Sequence, residues 1–184
     1  MTEIVVPVPT RRLVLRPVRA GDEADVLAYR SREDVTTHLM SGPMTSGDAT
    51  AFIAERMQAT RVEADHDRVF LAIELEGRVV GDVSLRMGRL LDRQGEIGWV
   101  LHPDQQGHGY AREAATALMG IGFQQLGLHR IHAQLDPRNT ASAALCRALG
   151  MRQEAHLREE SWFKGEWGDL LVFALLRSEW PQRR

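Results

Sequence analysis

The chain has 184 residues, 43% hydrophobic and 26% charged, with a formal net charge of −2, which suits one globular domain with a sizeable core. That balance offers no basic excess for nucleic acid, and no apolar run is long enough to span a bilayer. The single cysteine, Cys146, excludes an internal disulfide and a cysteine metal cluster.

The N-terminus lacks the basic and then apolar run of a secretory signal, so the expected compartment is the cytoplasm. Residues 1–10, with Pro7 and Pro9 and no period, read as a loose arm on a single domain spanning 1–184. Leu13, Leu15 and Val18 predict a first strand. Gly21-Asp22 opens a short helix through Tyr29, and Val35 to Met40 predicts a further helical turn. After the break at Ser41-Gly42-Pro43, Ser46, Gly47 and Asp48 start a longer helix with Ala49, Phe52, Ile53, Arg56 and Met57 on one face. Val69–Leu75 and Val79–Met87 predict strands joined at Glu76-Gly77-Arg78.

A third strand of this meander begins at Glu96. Ile97, Trp99 and Leu101 alternate there with Glu96, Gly98 and Val100. The pattern breaks at Pro103-Asp104 and enters a helix whose narrow face is Ala111, Ala114, Ala115, Leu118, Met119 and Gly122. Leu128–Leu135 predicts a further strand. Asn139 caps a helix that Gly150 ends, and Gln153–Lys164 with Trp167–Leu176 closes the chain as a hairpin. The pattern is α+β, a mixed sheet flanked by helices.

Between the Glu96 strand and its helix lies Gln106-Gly107-His108-Gly109-Tyr110-Ala111. A strand, a glycine-containing turn and a helix start can cradle an anion, because the first helical N–H groups lack partners and the dipole adds positive potential. A tight strand-to-helix turn is the plainer reading. No Gly-Lys-Ser/Thr follows, and the Rossmann glycine pattern is incomplete.

Gln-x-x-Gly-x-Ala, here Gln106 to Ala111, resembles the acyl-CoA pyrophosphate motif of the GNAT N-acetyltransferases. The run Glu96-Ile97-Gly98-Trp99-Val100-Leu101-His102-Pro103 resembles their ribosomal-protein (RimJ/RimL-like) branch, and the resemblance extends roughly from Arg12 to Trp180. It implies a mostly antiparallel three-layer sandwich, acetyl-CoA (coenzyme A) as cofactor, and a primary amine acceptor, either a protein N-terminus or a small molecule. Attack would be direct, in a ternary complex, by a monomer or homodimer. Neither nucleic acid, membrane nor metal is expected.

The resemblance assigns cofactor contacts to Trp99, Val100, Leu101, Gln106, Gly107, His108, Gly109, Tyr110, Ala111, Asn139 and Ser142. Glu96 is the expected catalytic base or amine contact, with a solvated strand residue as the alternative, and Gly98 reads as a bulge that opens the sheet. Many relatives carry a tyrosine where Cys146 stands, as acid to the leaving thiolate. Ser142 is the replacement expected here, and Cys146 reads as a buried filler. The hairpin aromatics Trp162 and Trp167 read as hairpin packing or, with the Met40–Met44 loop, as a wall of the acceptor cleft. Two alternatives share the fold: transfer from a longer acyl-CoA such as succinyl-CoA, or a non-catalytic acyl-CoA sensor.

Overall fold

From Val69 to Ile73 every residue is buried, and alternate side chains enter two different clusters. A strand covered on both faces needs a layer on each. The computed structural model, which describes residues 2–180, supplies both. Its main sheet is built from β2 (Val8–Pro9), β3 (Val14–Arg16), β5 (Arg68–Leu75), β6 (Arg78–Met87), β7 (Gln94–Leu101), β8 (Arg130–Leu135), β9 (Arg152–Phe163) and β10 (Glu166–Leu176). The spatial order is β2-β3-β5-β6-β7-β8-β10-β9, antiparallel except between β7 and β8.

The N-terminal residues are not the loose arm expected. Strand β1 (Thr2–Glu3) pairs with β4 (Arg61–Val62), Val8 lies opposite Leu15, and Ile4 is buried. Pro7 and Pro9 hide the period, but edge strands tolerate proline where the missing N–H faces outward.

On one face lie α4 (Tyr110–Gly120) and α5 (Thr140–Ala148). Ala114, Ala115, Leu118 and Met119 of α4 are fully buried in the cluster that holds Val83, Leu85 and Ile97. A fully buried leucine or methionine of this kind contributes about 1.5–3 kcal/mol. The alanines set the spacing, and the helix runs on as one π turn, Ile121–Gln125. A Cβ on Gly122 there would stand 2.8 Å from Ile131 Cδ1 and 2.9 Å from Leu85 Cδ2, so a larger residue would force these core side chains to shift. On the other face α1 (Glu23–Arg30) and α3 (Ser46–Arg56) bring Val26, Tyr29 and Ile53 against Phe70 and Ala72. Thr45 and Asp48 close a capping box at the start of α3.

The expected turn at 35–40 falls earlier, as α2 (Glu33–Thr36). Two acids, Glu33 and Asp34, suit a helix start. The Thr36 and Thr37 hydroxyls donate back to the Arg32 and Glu33 carbonyls at 3.1 and 2.8 Å, which favours an early stop. Among the described residues no helix is long and apolar enough to cross a membrane.

One feature of the sheet positions everything that follows. The parallel ladder between β7 and β8 pairs Gln94 with Arg130, Gly95 with Ile131 and Glu96 with His132, and stops there. Both strands continue, to Leu101 and Leu135, so they diverge and leave one edge of β7 open. Gly98 is not a bulge: the β6–β7 ladder runs unbroken through Ser84 opposite Gly98. The opening comes from divergence of the parallel pair.

Candidate functional site

The glycine turn ends at the head of α4. Gly107 and Gly109 take φ of +78° and +79°, a left-handed conformation that favours glycine. Among the described residues the amides from Gly107 to Arg112 meet no protein acceptor, and Gly109 caps α4 without a side-chain bond. Consecutive free N–H groups around alternating backbone conformations form a nest for an anion. Arg12 braces this turn from the N-terminal segment. Its Nη1 donates to the His108 carbonyl at 2.9 Å, and its Nη2 pairs with Glu113 of α4 at 2.8 Å. The Arg12 guanidinium also lies 4.5 Å from the centre of the Tyr110 ring.

From this turn a cavity of about 540 Å³ runs along the open edge of β7 to α5. Its lining brings together Trp99, Val100, Leu101, Gln106, Gly107, Gly109, Tyr110, Ala111, Asn139 and Ser142, residues to which the resemblance assigns cofactor contact. His108 contributes backbone only; its exposed ring leans on Tyr110 at 5.7 Å. The His102 N–H donates to Val80 on the β6 side at 2.8 Å. By strand alternation the N–H groups of Leu101 and Trp99 therefore face the opened edge. Gln106 Nε2 donates to the Leu101 carbonyl there at 3.3 Å.

At the far end, Asn139 Oδ1 accepts from the Ser142 N–H at 3.0 Å and caps α5. The Ser142 hydroxyl accepts from the Trp99 indole N–H at 3.3 Å. That bond occupies an acceptor site of the oxygen and leaves its proton to donate. Cys146 is fully buried, and burial pushes its thiol up to about 12, so it stays protonated near neutral pH.

A second cavity, about 500 Å³, opens on the α1–α3 face and meets the first at His38, Leu39, Trp99, Val100, Asn139 and Ser142. Its walls include Met40, Met44, Phe52 and Phe70. Glu96 shares a sheet face with Gly98 and Val100 but lines neither cavity; it stands between Arg86 and His132 on the neighbouring strands. Burial lowers the His132 pKa, partly offset by the Glu96 charge. Trp162 and Trp167 stack edge to face at 5.5 Å, and both are 60% exposed, outside either lining. The hairpin instead touches the end of α2 through Lys164, whose Nζ donates to the Thr36 carbonyl at 2.7 Å.

Two features carry no sequence signal. One is His38, on the segment after α2, with Nδ1 buried, no hydrogen-bond partner, and Asp136 at 3.9 Å. The other is a buried group of Arg30, Tyr29 and Asp82, assembled from α1 and β6 across 52 and 53 residues of sequence. Only the folded sheet brings these together.

A long acyl-CoA fits this arrangement: free amides suit a diphosphate, an unpaired strand edge suits an amide-bearing arm, and a hydroxyl donor stands at the far end of the cavity. A family model described as Acetyltransferase (GNAT) domain matches residues 12–152. The chain is 31% identical over 179 residues to Uncharacterized N-acetyltransferase YnaD of Bacillus subtilis (strain 168), covering 94% of this chain and 98% of that one. The crystal structure of an acetyltransferase (GNAT family) from Bacillus anthracis aligns with a TM-score of 0.84 at 30% identity, over 94% of this chain and 99% of that one. The spermidine N-acetyltransferase of Vibrio cholerae, solved in complex with CoA and spermine, shares the fold at a TM-score of 0.77 and 21% identity, over 92% of this chain and 98% of that one.

Proposed function

The chain belongs to the GNAT acetyltransferase family, and from that premise we propose that it acetylates the primary amine of a protein N-terminus or a small molecule. It does so as a single cytoplasmic domain, in the manner of the RimJ/RimL-like branch. It is an acyltransferase that depends on acetyl-CoA. When bound, acetyl-CoA supplies a thioester carbon activated for attack.

The residues then divide the work. The amides from Gly107 to Arg112 hold the diphosphate, and the open edge of β7 holds the arm. The Leu101 N–H, on the opened edge, would face the thioester oxygen and offset charge that develops there. The acceptor amine enters through the second cavity and forms a C–N bond as the C–S bond breaks. Ser142 gives its hydroxyl proton to the departing sulfur and takes one back from solvent. Glu96, two residues before Gly98 on the acceptor face, takes the amine's proton through water. His38 is a second reading of the base, favoured by its place where the two cavities meet.

The observation that carries the proposal is the run of free amides opening on the cavity that ends at Ser142. The test is acetyl-CoA turnover against peptides beginning Ala, Ser or Met and against small amines, reading free CoA and product mass. Release of CoA matched to an acetylated amine is expected. Tight binding with no release on any amine would instead favour a sensor. Faster release from succinyl-CoA would favour the longer acyl group.

A further inference from the structure

The second cavity holds more guanidinium than carboxylate. Arg30, Arg56 and Arg68 line it against Asp82 and Asp136. Arg30 is committed to Asp82, with Nε to Oδ2 at 2.9 Å and Nη2 to Oδ1 at 2.7 Å, and the Tyr29 hydroxyl donates to the same carboxylate at 2.8 Å. Asp136 is committed to Arg138, which lies outside this cavity, at 2.7 Å. Arg56 and Arg68 remain.

Arg56 Nη1 pairs with the exposed Glu55 at 2.7 Å, yet its Nε is buried with no hydrogen-bond partner. The Phe52 ring sits between two guanidiniums, with Arg56 at 4.0 Å and Arg30 at 4.6 Å from its centre, which holds Arg56 in place. The Arg68 side chain, at an exposed position opposite Arg86, has no hydrogen bond or ion pair among the described residues. Partial burial, together with the charges of Arg56 and Arg86, lowers its pKa, partly offset by the charges of Glu96 and Glu55. Arg56 Nε is a buried donor without an acceptor, which is costly; Arg68 is an exposed guanidinium on the same cavity with no ion pair, so it is open to an anion.

The geometry points to an acceptor that carries an oxyanion besides its amine, a carboxylate or a phosphate, held by Arg68 and Arg56. This inference rests on the acetyltransferase reading above and narrows its acceptor. The amine end points to the junction at Trp99 and Ser142, and an apolar body lies against Phe52, Phe70 and Met44. Guanidinium matches either oxyanion, in bidentate geometry. A polyamine has the wrong sign, since its second ammonium would meet Arg68 with no free carboxylate in the lining.

The test uses amines of equal chain length in four series: ω-amino acids, ω-aminoalkyl phosphonates, their uncharged amides or esters, and diamines. Specific turnover is read as CoA release for wild type, Arg68→Gln and Arg68→Lys. Calorimetry reads acetyl-CoA affinity, and acceptor affinity in the presence of CoA. One of the two oxyanion series is expected to exceed its uncharged partner by ~10-fold or more, with diamines poorest. Which oxyanion leads identifies the ligand. Arg68→Gln should erase most of that preference and Arg68→Lys should restore part of it, with acetyl-CoA affinity unchanged. Equal or better use of amides or diamines, or an unchanged preference in Arg68→Gln, overturns the inference. So does absence of both turnover and acceptor binding across all series while acetyl-CoA still binds. Loss of acetyl-CoA binding in the wild type would instead strike the acetyltransferase reading.

Discussion

Ser142 already accepts a hydrogen bond from the Trp99 indole, so its proton is free for a neighbour. Ser142→Ala should therefore lower kcat by ~10²-fold, the low end for proton transfer, with little change in acetyl-CoA affinity. Cys146→Ala should leave kcat nearly unchanged, because a buried thiol pushed up to about 12 offers no thiolate. The reverse ranking in steady-state kinetics would make Cys146 the partner of the sulfur. Glu96 is tested by pH. An α-amine with pKa near 8 is largely protonated at mildly acidic pH, so Glu96→Gln should depress kcat/KM most there and recover by about pH 9. A constant ratio to wild type across the profile would reduce Glu96 to an orienting role. If His38→Gln shows the pH-dependent defect instead, the base is His38.

The cradle was legible as an element because two periods meet there, a strand of alternating residues and a helix face of small ones, with Gly107 and Gly109 between. The divergence of β7 from β8 was not. It depends on Glu96 pairing with His132 and Gly98 failing to pair beyond it, and local pattern does not encode where a parallel ladder stops. The same limit hid β1, whose partner β4 lies beyond three helices, and the Arg30–Asp82 pair. The open edge also depends on its other neighbour. A Cβ on Gly81 of β6 would overlap the Val100 carbonyl oxygen and stand 2.9 Å from Leu101 Cδ1. Gly81→Ala should thus push β7 away from β6, cost about 1–3 kcal/mol in urea unfolding, and weaken acetyl-CoA binding. Unchanged stability and affinity would show that the strand gives way freely and that its position is not critical.

At the scale of the molecule, the end of β3 and the start of α1 are locked by a buried ionic group. Arg16 and Asp22, 7% and 5% exposed, form two bonds of 2.8 and 2.9 Å, and the Arg19 N–H adds a third at 2.8 Å. Burial pushes the Asp22 carboxyl up, but the bonds and charges of Arg16 and Arg19 outweigh it and hold the pKa below its ordinary 3.8. A depressed carboxyl contributes stability above that ordinary value and loses it as pH falls through the folded pKa. Asp22→Asn should cost about 1–3 kcal/mol at neutral pH, because Arg16 loses this carboxylate but keeps its pair with Glu74. The gap to wild type in chemical unfolding should narrow below about pH 3.8. A gap independent of pH would mean that shape, not charge, sets the contribution. The whole architecture serves one placement, a nest of free amides at the head of a cavity. The most direct measurement is calorimetric titration of acetyl-CoA into wild type, Gly109→Asn and Gly109→Glu, with thermal unfolding as a control. Only Arg12 Nη2, at 3.5 Å, lies near a Cβ at this position, and asparagine tolerates the positive φ, so the fold should survive. Gly109→Asn should keep measurable affinity, and Gly109→Glu, with a carboxylate where the diphosphate belongs, should bind no acetyl-CoA while unfolding normally. Undiminished affinity in a folded Gly109→Glu variant would contradict the account.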